Sequence, residues 1–257
     1  MIYGKATRFW QVMKISIFKL FKYHLFSFWN WRSSYLGKFI EPFAYIFFLS
    51  AGISGIMSRD PNAYSFYVLS GIVTLLGFRS AISSMSDVSN DRKWGVYAIY
   101  AIHGGKPSGY LLSIIIFSIF IYTVQFLLSI LSVAIVFGGG IFAIKSLYIY
   151  FIGLISVFGW SCIGALVGSR VDSYSARDFI VTISTIPAVF TAPLFYPIYN
   201  SQGLLYAISL VNPLSYTVYM IRNFSFESFL ILLVISIILY ILCLKFLATS
   251  DKLSRER

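Results

Sequence analysis

Six long apolar stretches dominate this chain of 257 residues, and each is long enough to cross a lipid bilayer. About 20 apolar residues in a helix span the ~30 Å hydrocarbon core of a bilayer. Backbone polar groups inside that core must be satisfied within the segment, which favours helices. We therefore predict an all-α integral membrane protein with six transmembrane helices at about Phe39–Met57, Ala63–Met85, Gly109–Phe137, Leu147–Gly168, Phe179–Pro197 and Phe229–Ala248.

The basic residues lie mostly on one side of these stretches. Sixteen of the 20 Lys and Arg residues precede the first stretch, lie in the last turn of the last stretch or beyond it, or lie in the second-to-third and fourth-to-fifth connections. The other connections hold only Arg59, Lys145 and Arg222. Because Lys and Arg near span ends favour the cytoplasmic side, we expect a multi-pass protein of the cell membrane with both termini cytoplasmic. The net charge of +11 then indicates anionic membrane lipids as partners, and no nucleic acid.

The segment before the first stretch, residues 1–38, has the pattern of an amphipathic helix. Apolar residues from Trp10 to Leu25 recur at helical spacing with lysines between them, which is typical of a helix lying in the membrane interface. This helix is either only a topological anchor or a brace that contacts a cytoplasmic partner or gates lateral access. Glu41 and Pro42 are expected in the first turn of the first span, where a proline is tolerated and an acidic side chain is favourable.

The largest cytoplasmic connection is predicted at residues 86–108. It contains Trp94 and Tyr97, followed by Gly104, Gly105 and Pro107. Its middle is expected to form one short helix, which the glycines and the proline end. A plain solvated connector is the alternative. A docking helix is favoured, because a tether needs neither of the two aromatic residues.

Residues 186–224 depart from the pattern of a span followed by a loop. They hold four prolines yet stay apolar and aromatic, and Leu204–Val211 is an apolar run too short to span. Such runs beside a span are commonly re-entrant or interfacial, and broken backbone at membrane depth lines a cavity or is buried in protein. We predict short re-entrant helices between the fifth and sixth spans, with an outer gate formed by Pro193, Phe195, Tyr196, Pro197, Asn212, Pro213 and Tyr216.

Side chains suited to catalysis or ion coupling are scarce. His24 and His103 are the only histidines, and neither lies at metal-ligand spacing with Cys or carboxylates, so no metal site is expected. Gly104-Gly105-Lys106 lacks the spacing of a phosphate-binding loop, so no ATPase is expected in this chain. We place no Asp or Glu in mid-span, which disfavours coupled ion transport. A membrane enzyme is disfavoured because no catalytic set of residues is present.

Arg79 is the clearest ionisable residue within a predicted span, since Glu41 and Lys245 lie near span ends. We expect it close to the cytoplasmic end of that span, with its side chain snorkelling to the lipid headgroups. The alternative is a position on the substrate pathway, where its charge would meet an anionic substrate.

The layout resembles the membrane subunit of a type 2 ABC exporter, a family of permeases that export polysaccharides, lipo-oligosaccharides and drugs. The resemblance covers essentially the whole chain, and the order and spacing of its features carry it. These features are the basic amphipathic start, Leu36–Pro42 before the first span, Tyr64–Ile72 opening the second, the Arg92–Pro107 loop, Ala192–Pro197, Asn212–Tyr216 and Arg222 before the last span.

This resemblance implies a half-transporter that is one transmembrane domain over residues 1–257. It implies a pathway enclosed by two copies, or by one copy and a homologous permease. Each would bind a separate nucleotide-binding ATPase subunit that holds ATP and Mg²⁺, with no cofactor in this chain. The domain divides into the cytoplasmic segment 1–38, spans one to five over 39–197, an extracytoplasmic re-entrant region over 198–228, and the sixth span with a cytoplasmic tail over 229–257.

The same resemblance implies a coupling helix that fits a cleft in the ATPase. By position this helix maps to about Asp91–Ile102. Ala98 stands where the family usually carries an acidic residue. The ATPase-coupling residues are expected to be Asp91, Arg92, Lys93, Trp94, Gly95 and Tyr97.

The substrate is expected to be a lipid-linked saccharide or polysaccharide, in keeping with the aromatic content of 19% and the broken outer gate. A hydrophobic drug or a lipid moved by the same mechanism stays open as an alternative. A partner-free channel is less favoured, because a channel requires polar residues along one face of a span and the chain offers only scattered Ser and Thr.

Overall fold

The computed structural model describes residues 3–30, 32–57, 61–137, 143–171, 173–195, 203–223 and 226–248. All regular structure in these ranges is helical, which confirms the predicted all-α class for this part of the chain. The helices in chain order are α1 Tyr3–Asn30, α2 Arg32–Met57, α3 Pro61–Lys93, α4 Val96–Ile102, α5 Pro107–Phe137, α6 Ala143–Gly168, α7 Tyr174–Phe190, α8 Leu204–Val211, α9 Pro213–Asn223 and α10 Phe226–Ala248.

Four helices in the described ranges are long and apolar enough to cross a membrane, and they match the second, third, fourth and sixth predicted spans. They are Phe66–Lys93 in α3, Pro107–Val136 in α5, Lys145–Gly168 in α6 and Phe229–Leu247 in α10. A fifth is present if α8 and α9 count as one broken span. The first and fifth predicted spans fall in α2 and α7, which are not among these. The six-span count therefore stays a prediction.

Two helix boundaries differ from those predicted. α2 begins at Arg32, so Pro42 lies inside a helix that is already formed and not in its first turn. α3 continues to Lys93, eight residues beyond the predicted end at Met85, so residues 86–93 are helix and not loop. The prediction from hydropathy placed the start of α2 and the end of α3 at the edges of the apolar runs, whereas both helices continue into polar sequence. Polar side chains beyond the apolar run are buried between helices, as Asp91 is against Tyr110 of α5.

α3 is the centre of the bundle and packs against α6, α5, α2 and α9. Its approach to α6 is close because small residues meet there. Gly164 and Gly168, one turn apart on α6, face the backbone of Ala81 and Met85, and a methyl group at either glycine would overlap that backbone. Small residues at helix interfaces allow such close packing within membranes.

The buried apolar side chains form two clusters. One contains Val68 and Ile72 of α3 with Val218 of α9. The other contains Val88 of α3 and Leu111 of α5, next to α4. Since α3 runs between the two clusters, we refer to the α9 end and the α4 end of the bundle.

Candidate functional site

α4 is a seven-residue helix held between two turns. Gly95 before it and Gly104 after it adopt the left-handed backbone conformation, with φ of 74° and 80°, which glycine reaches without the steric cost of a side chain. The Gly105 N–H then donates to the Tyr100 carbonyl over 2.9 Å. The predicted short helix in this connection is present. Pro107 begins α5, where its missing N–H costs nothing, and does not end α4 as expected.

A group of buried polar side chains connects α4 to the rest of the bundle. The Tyr110 hydroxyl donates to Asp91 Oδ2 over 2.8 Å, and Arg92 donates from NH1 to the Ser169 carbonyl over 3.0 Å. The Arg92 guanidinium also lies 5.1 Å from the ring centre of Tyr97 on α4. We name Asp91, Arg92, Tyr97 and Tyr110 the anchor cluster. Through these contacts α4 is joined to α3, to α5 and to the end of α6.

α1 reaches the anchor cluster through His24. This side chain is buried, and its ring stacks on Phe117 with centroids 5.5 Å apart. His24 Nε2 lies 3.8 Å from Asp91 Oδ2, which is too far for a hydrogen bond. Burial lowers the pKa of His24 to about 4, because the charged imidazolium would lose its hydration. His24 is therefore neutral at pH 7, and α1 is held here by packing and not by an ion pair.

The six predicted coupling residues do not share one surface. Three of them belong to the anchor cluster, whose side chains are at most 4% exposed and present no surface to a partner. Lys93 has its Nζ 3.7 Å from the ring centre of Tyr174 on α7, and Gly95 forms the turn before α4. Only Trp94 has a largely exposed side chain, at 50%.

Two further exposed apolar side chains lie on α4, which begins two residues after Trp94. Ile99 and Ile102 of α4 are 59% and 77% exposed. The sequence analysis did not single them out. A helix that buries Tyr97 on one face nevertheless has another face that points outward. We name Trp94, Ile99 and Ile102 the α4 tip.

A polar cavity of about 270 Å³ lies among α2, α3, α5 and α7. Arg79 lines it and forms an ion pair with Glu41 of α2. Lys38 also lines it and donates from Nζ to Ser83 Oγ over 3.1 Å. Gln125 of α5 donates from Nε2 to the Lys38 carbonyl over 2.8 Å. This polar cavity is therefore surrounded by side chains from helices that are far apart in sequence.

The ion pair gives Arg79 a partner other than the lipid headgroups, and the expectation that it snorkels stays a prediction. α3 continues 14 residues beyond Arg79 to Lys93, which is about 21 Å at a rise of ~1.5 Å per residue. The charge is balanced sideways by Glu41 on the neighbouring helix, so it need not reach the headgroups. A position of Arg79 on the substrate pathway stays a prediction.

Polar residues recur along one face of α3 from this cavity to the anchor cluster. Arg79, Ser83, Asp87 and Asp91 follow one another at intervals of four residues, which places them on one side of a helix. Asp87 and Asp91 were assigned to a loop, whereas the structure places them in α3. The four-residue spacing was the signal in the sequence that the helix continues past Met85.

At the opposite end, α8 and α9 meet at an angle of 82°. Asn212 lies at the corner, where its Oδ1 accepts from the Leu214 N–H over 3.0 Å and caps α9. Its Nδ2 donates to the Ala188 carbonyl and to Thr191 Oγ1, both over 2.8 Å. The predicted pair of short helices with a break at Asn212-Pro213 is thus present. Its depth in a membrane stays a prediction.

Arg222 of α9 holds the backbone that follows α7. Its Nε donates to Ser70 Oγ over 2.8 Å, and its NH1 donates to the Pro193 carbonyl over 2.8 Å. Its NH2 donates to the carbonyls of Tyr67 and Leu194, over 3.1 and 2.9 Å. We name this set of contacts the arginine clamp. It joins α9 to α3 and to a segment that no helix stabilises.

The other predicted gate residues are separated in the structure. Pro193 and Phe195 are buried, whereas Tyr216 is 62% exposed. Tyr196 and Pro197 lie outside the described residues. The predicted gate residues therefore include both buried and exposed side chains. The sequence analysis did not include Arg222 in the gate, although Arg222 donates a hydrogen bond to the Pro193 carbonyl.

The end of the fifth predicted span also differs. α7 ends at Phe190 and not near Pro197. Pro193 explains the earlier end, because the residue before a proline is disfavoured in helical conformation. Pro187 lies inside α7, so the proline run does not break the helix at its first member.

A larger, apolar cavity of about 590 Å³ lies among α6, α9 and α10. Trp160, Met220 and Ile235 are among the residues that line it. Only 17% of the candidate span in α10 is buried, and so wide an apolar surface on a helix is typical of contact with lipid. This apolar cavity is thus bounded by a helix that faces outward.

The comparison with known families agrees with this architecture. A family model described as ABC-2 type transporter matches residues 16–226, from within α1 to the first residue of α10. The chain therefore belongs to the ABC-2 type transporter family, whose members are the transmembrane permease subunits of ABC exporters. Comparisons with curated proteins and with solved structures found no match. The predicted type 2 ABC permease is confirmed, and the matched region contains the α4 tip, the anchor cluster and the arginine clamp.

Proposed function

We propose that this chain is one half of an ATP-driven exporter, in which two permease chains enclose one pathway and each binds a separate ATPase subunit. The α4 tip is the observation that carries the proposal. It presents two large apolar side chains on a short helix and a third, Trp94, in the turn before it, while Tyr97 of the same helix is buried in the bundle. Aromatic and aliphatic anchors of this kind are typical of protein–protein contacts, where a few such residues carry most of the binding energy.

The anchor cluster is proposed to transmit movement of the ATPase to the spans. A displacement of α4 is passed from Tyr97 to Arg92 and, through Asp91 and Tyr110, to α5. Since these side chains are buried and close-packed, they transmit strain and do not absorb it. ATP binding drives the change if the closed ATPase pair binds one state of the permease better than the other.

α3 is proposed to carry the same movement to the outer gate. It holds the anchor cluster at one end and, through Tyr67 and Ser70, two partners of Arg222 at the other. A shift of α3 along or about its axis therefore changes the contacts that position α9. In this proposal the α4 end faces the cytoplasm, where most Lys and Arg residues lie by sequence, and the α9 end faces outward.

A lipid-linked saccharide is the proposed substrate, supported by the aromatic content and by the broken helices at the α9 end. A hydrophobic drug or lipid is a second candidate, which the apolar cavity of about 590 Å³ favours. The two candidate substrates can be distinguished by which compound stimulates ATP hydrolysis by the purified complex. Stimulation by a lipid-linked saccharide alone supports the first, and stimulation by a hydrophobic compound alone supports the second.

Co-purification from the native membrane tests the central proposal. The chain is solubilised mildly, isolated, and analysed by mass spectrometry for bound proteins. Trp94→Ala is compared with Phe226→Ala, a matched exposed aromatic residue at the start of α10, 72% exposed. We expect a stoichiometric soluble ATPase with the unaltered chain and with Phe226→Ala. Recovery should fall about tenfold or more with Trp94→Ala, since a central aromatic contact contributes ~2 kcal/mol or more.

Two outcomes would contradict the proposal. A chain that arrives alone as a stable oligomer would favour a partner-free channel. Full ATPase recovery with Trp94→Ala, together with unchanged transport, would show that the α4 tip is not the docking surface.

A further inference from the structure

The polar cavity among α2, α3, α5 and α7 holds more hydrogen-bond donors than its walls satisfy. We propose that it binds a phosphate group, either as the free anion or as the headgroup of a lipid. This goes beyond the proposed function, because such binding requires neither the ATPase nor transport.

Three side chains supply the donors. Lys38 has three N–H groups, of which one is used by Ser83 while the ammonium lies 4.5 Å from the ring centre of Tyr35. Arg79 has a buried Nε that has no hydrogen-bond partner in the described part of the chain. The hydroxyl of Thr185 on α7 is buried and equally without a partner there. Leaving such groups unpaired in a water-poor site is costly, so a ligand that brings acceptors is favoured.

The charged side chains that line the cavity also favour an anionic ligand. Two cations line it, Lys38 and Arg79, against one carboxylate, Glu41, which Arg79 already engages. Burial lowers the pKa of Lys38, and the nearby Asp87 acts in the opposite direction. Asp87 does not line the cavity, so it does not occupy the space that the ligand would take.

The volume of the cavity and its apolar lining residues limit which ligands can bind. About 270 Å³ corresponds to roughly nine waters at ~30 Å³ each, which is enough for an anionic group and its neighbouring atoms. Leu76, Ile121 and Val181 line the cavity as apolar walls. A few placed polar groups within apolar walls are the usual composition of a small-molecule site. The shared chemistry fits either free phosphate or the phosphate of a lipid.

The test uses the purified full chain in detergent, without ATPase or ATP, and follows its thermal unfolding midpoint at constant ionic strength. The probes are inorganic phosphate, dihexanoyl phosphatidic acid and, as the neutral comparison, dihexanoylglycerol. Lys38→Gln and Thr185→Val are compared with Lys19→Gln, an exposed lysine on α1. This control removes the same charge outside the cavity.

We expect phosphatidic acid to raise the midpoint saturably, with half-saturation unchanged in Lys19→Gln. Half-saturation should rise about tenfold or more in Lys38→Gln, as expected for loss of one charged hydrogen bond. An equal, Lys38-dependent response to inorganic phosphate would identify free phosphate as the ligand. A response to phosphatidic acid alone would identify the lipid.

Equal responses to dihexanoylglycerol and phosphatidic acid would overturn the proposal, as would equal affinity in Lys38→Gln and the unaltered chain. If Lys38→Gln does not fold, Thr185→Val decides. Its hydroxyl has no protein partner to lose, so the fold should persist while phosphate affinity falls about threefold or more. Unchanged affinity in that variant would likewise contradict the site.

Discussion

The two ends of this bundle are held together in different ways. At the α4 end, contacts between buried side chains of three helices fix a short helix, and the three apolar side chains of the α4 tip are exposed. At the α9 end, one arginine binds three backbone carbonyls and a serine. The stabilising contacts of the anchor cluster are distributed over several residues, whereas those of the arginine clamp all come from Arg222.

The difference follows from what each end must satisfy. Continuous helices at the α4 end pair their own backbone groups, so side chains are available to join one helix to another. The segment after α7 is not helical, and its carbonyls need donors from elsewhere. We infer that the α4 end is built to move as a unit, while the α9 end separates when a single set of contacts is released.

The largest expected effect comes from removing the arginine clamp. Arg222→Ala leaves the carbonyls of Pro193 and Leu194 without their donors and should lower the free energy of unfolding by about 4 kcal/mol or more, as several hydrogen bonds to a charged group are lost together. Arg222→Lys keeps the charge but not the planar fork, so an intermediate loss is expected. Thermal unfolding of the purified variants measures both. Equal stability of the two variants would show that charge and geometry are not both needed.

A smaller effect is expected from the anchor cluster. Tyr110→Phe removes the hydroxyl that donates to Asp91 and should cost ~1–3 kcal/mol, the range for leaving a buried hydrogen-bonding group without its partner. Transport per ATP hydrolysed should fall as well, because α5 is no longer joined to α3 at this point. Tyr240→Phe on α10 is the control and should leave this ratio unchanged. An unaltered ratio in Tyr110→Phe would contradict transmission through the cluster.

The smallest effect depends on pH and on α1. The pKa of His24 is about 4 in the folded protein and ~6.5 when unfolded. Between these values the unfolded state binds the proton and the folded state does not, so stability falls as the pH falls through this window. The share of this change that is due to His24, taken as the difference between the unaltered chain and His24→Phe, should be about 2 kcal/mol from pH 7.5 to pH 5. His24→Phe should lose less over the same range in thermal unfolding, and an equal loss would assign the pH dependence to other groups.

The helix boundaries show what the sequence could predict. α8 was predicted with the boundaries that the structure has, because Leu204–Val211 is a distinct apolar run followed directly by Asn212-Pro213. The end of α3 was wrong because polarity was taken to mean solvent. Asp91 is buried, and its partner Tyr110 lies on another helix. Local composition cannot distinguish a solvated acid from one paired across the bundle.

The arginine clamp was beyond prediction for a related reason. Arg222 was recognisable as one of few basic residues on the outer side, but its partners Ser70 and Tyr67 are 152 and 155 positions away. No periodicity links residues at such distances. The coupling residues were predicted in part. The short helix was predicted, but its exposed face was not, because that face depends on where α5 packs.

The most direct test of the account is cross-linking from the α4 tip. Ile102→Cys carries a thiol-reactive photo-cross-linker in native membranes, and Val211→Cys, 81% exposed at the opposite end, is the matched control. The native cysteines Cys162 and Cys243 are buried, so the label should go to the new site. The account predicts that position 102 cross-links to a soluble ATPase and that position 211 does not. Equal ATPase cross-linking from both positions, or none from position 102, would contradict it.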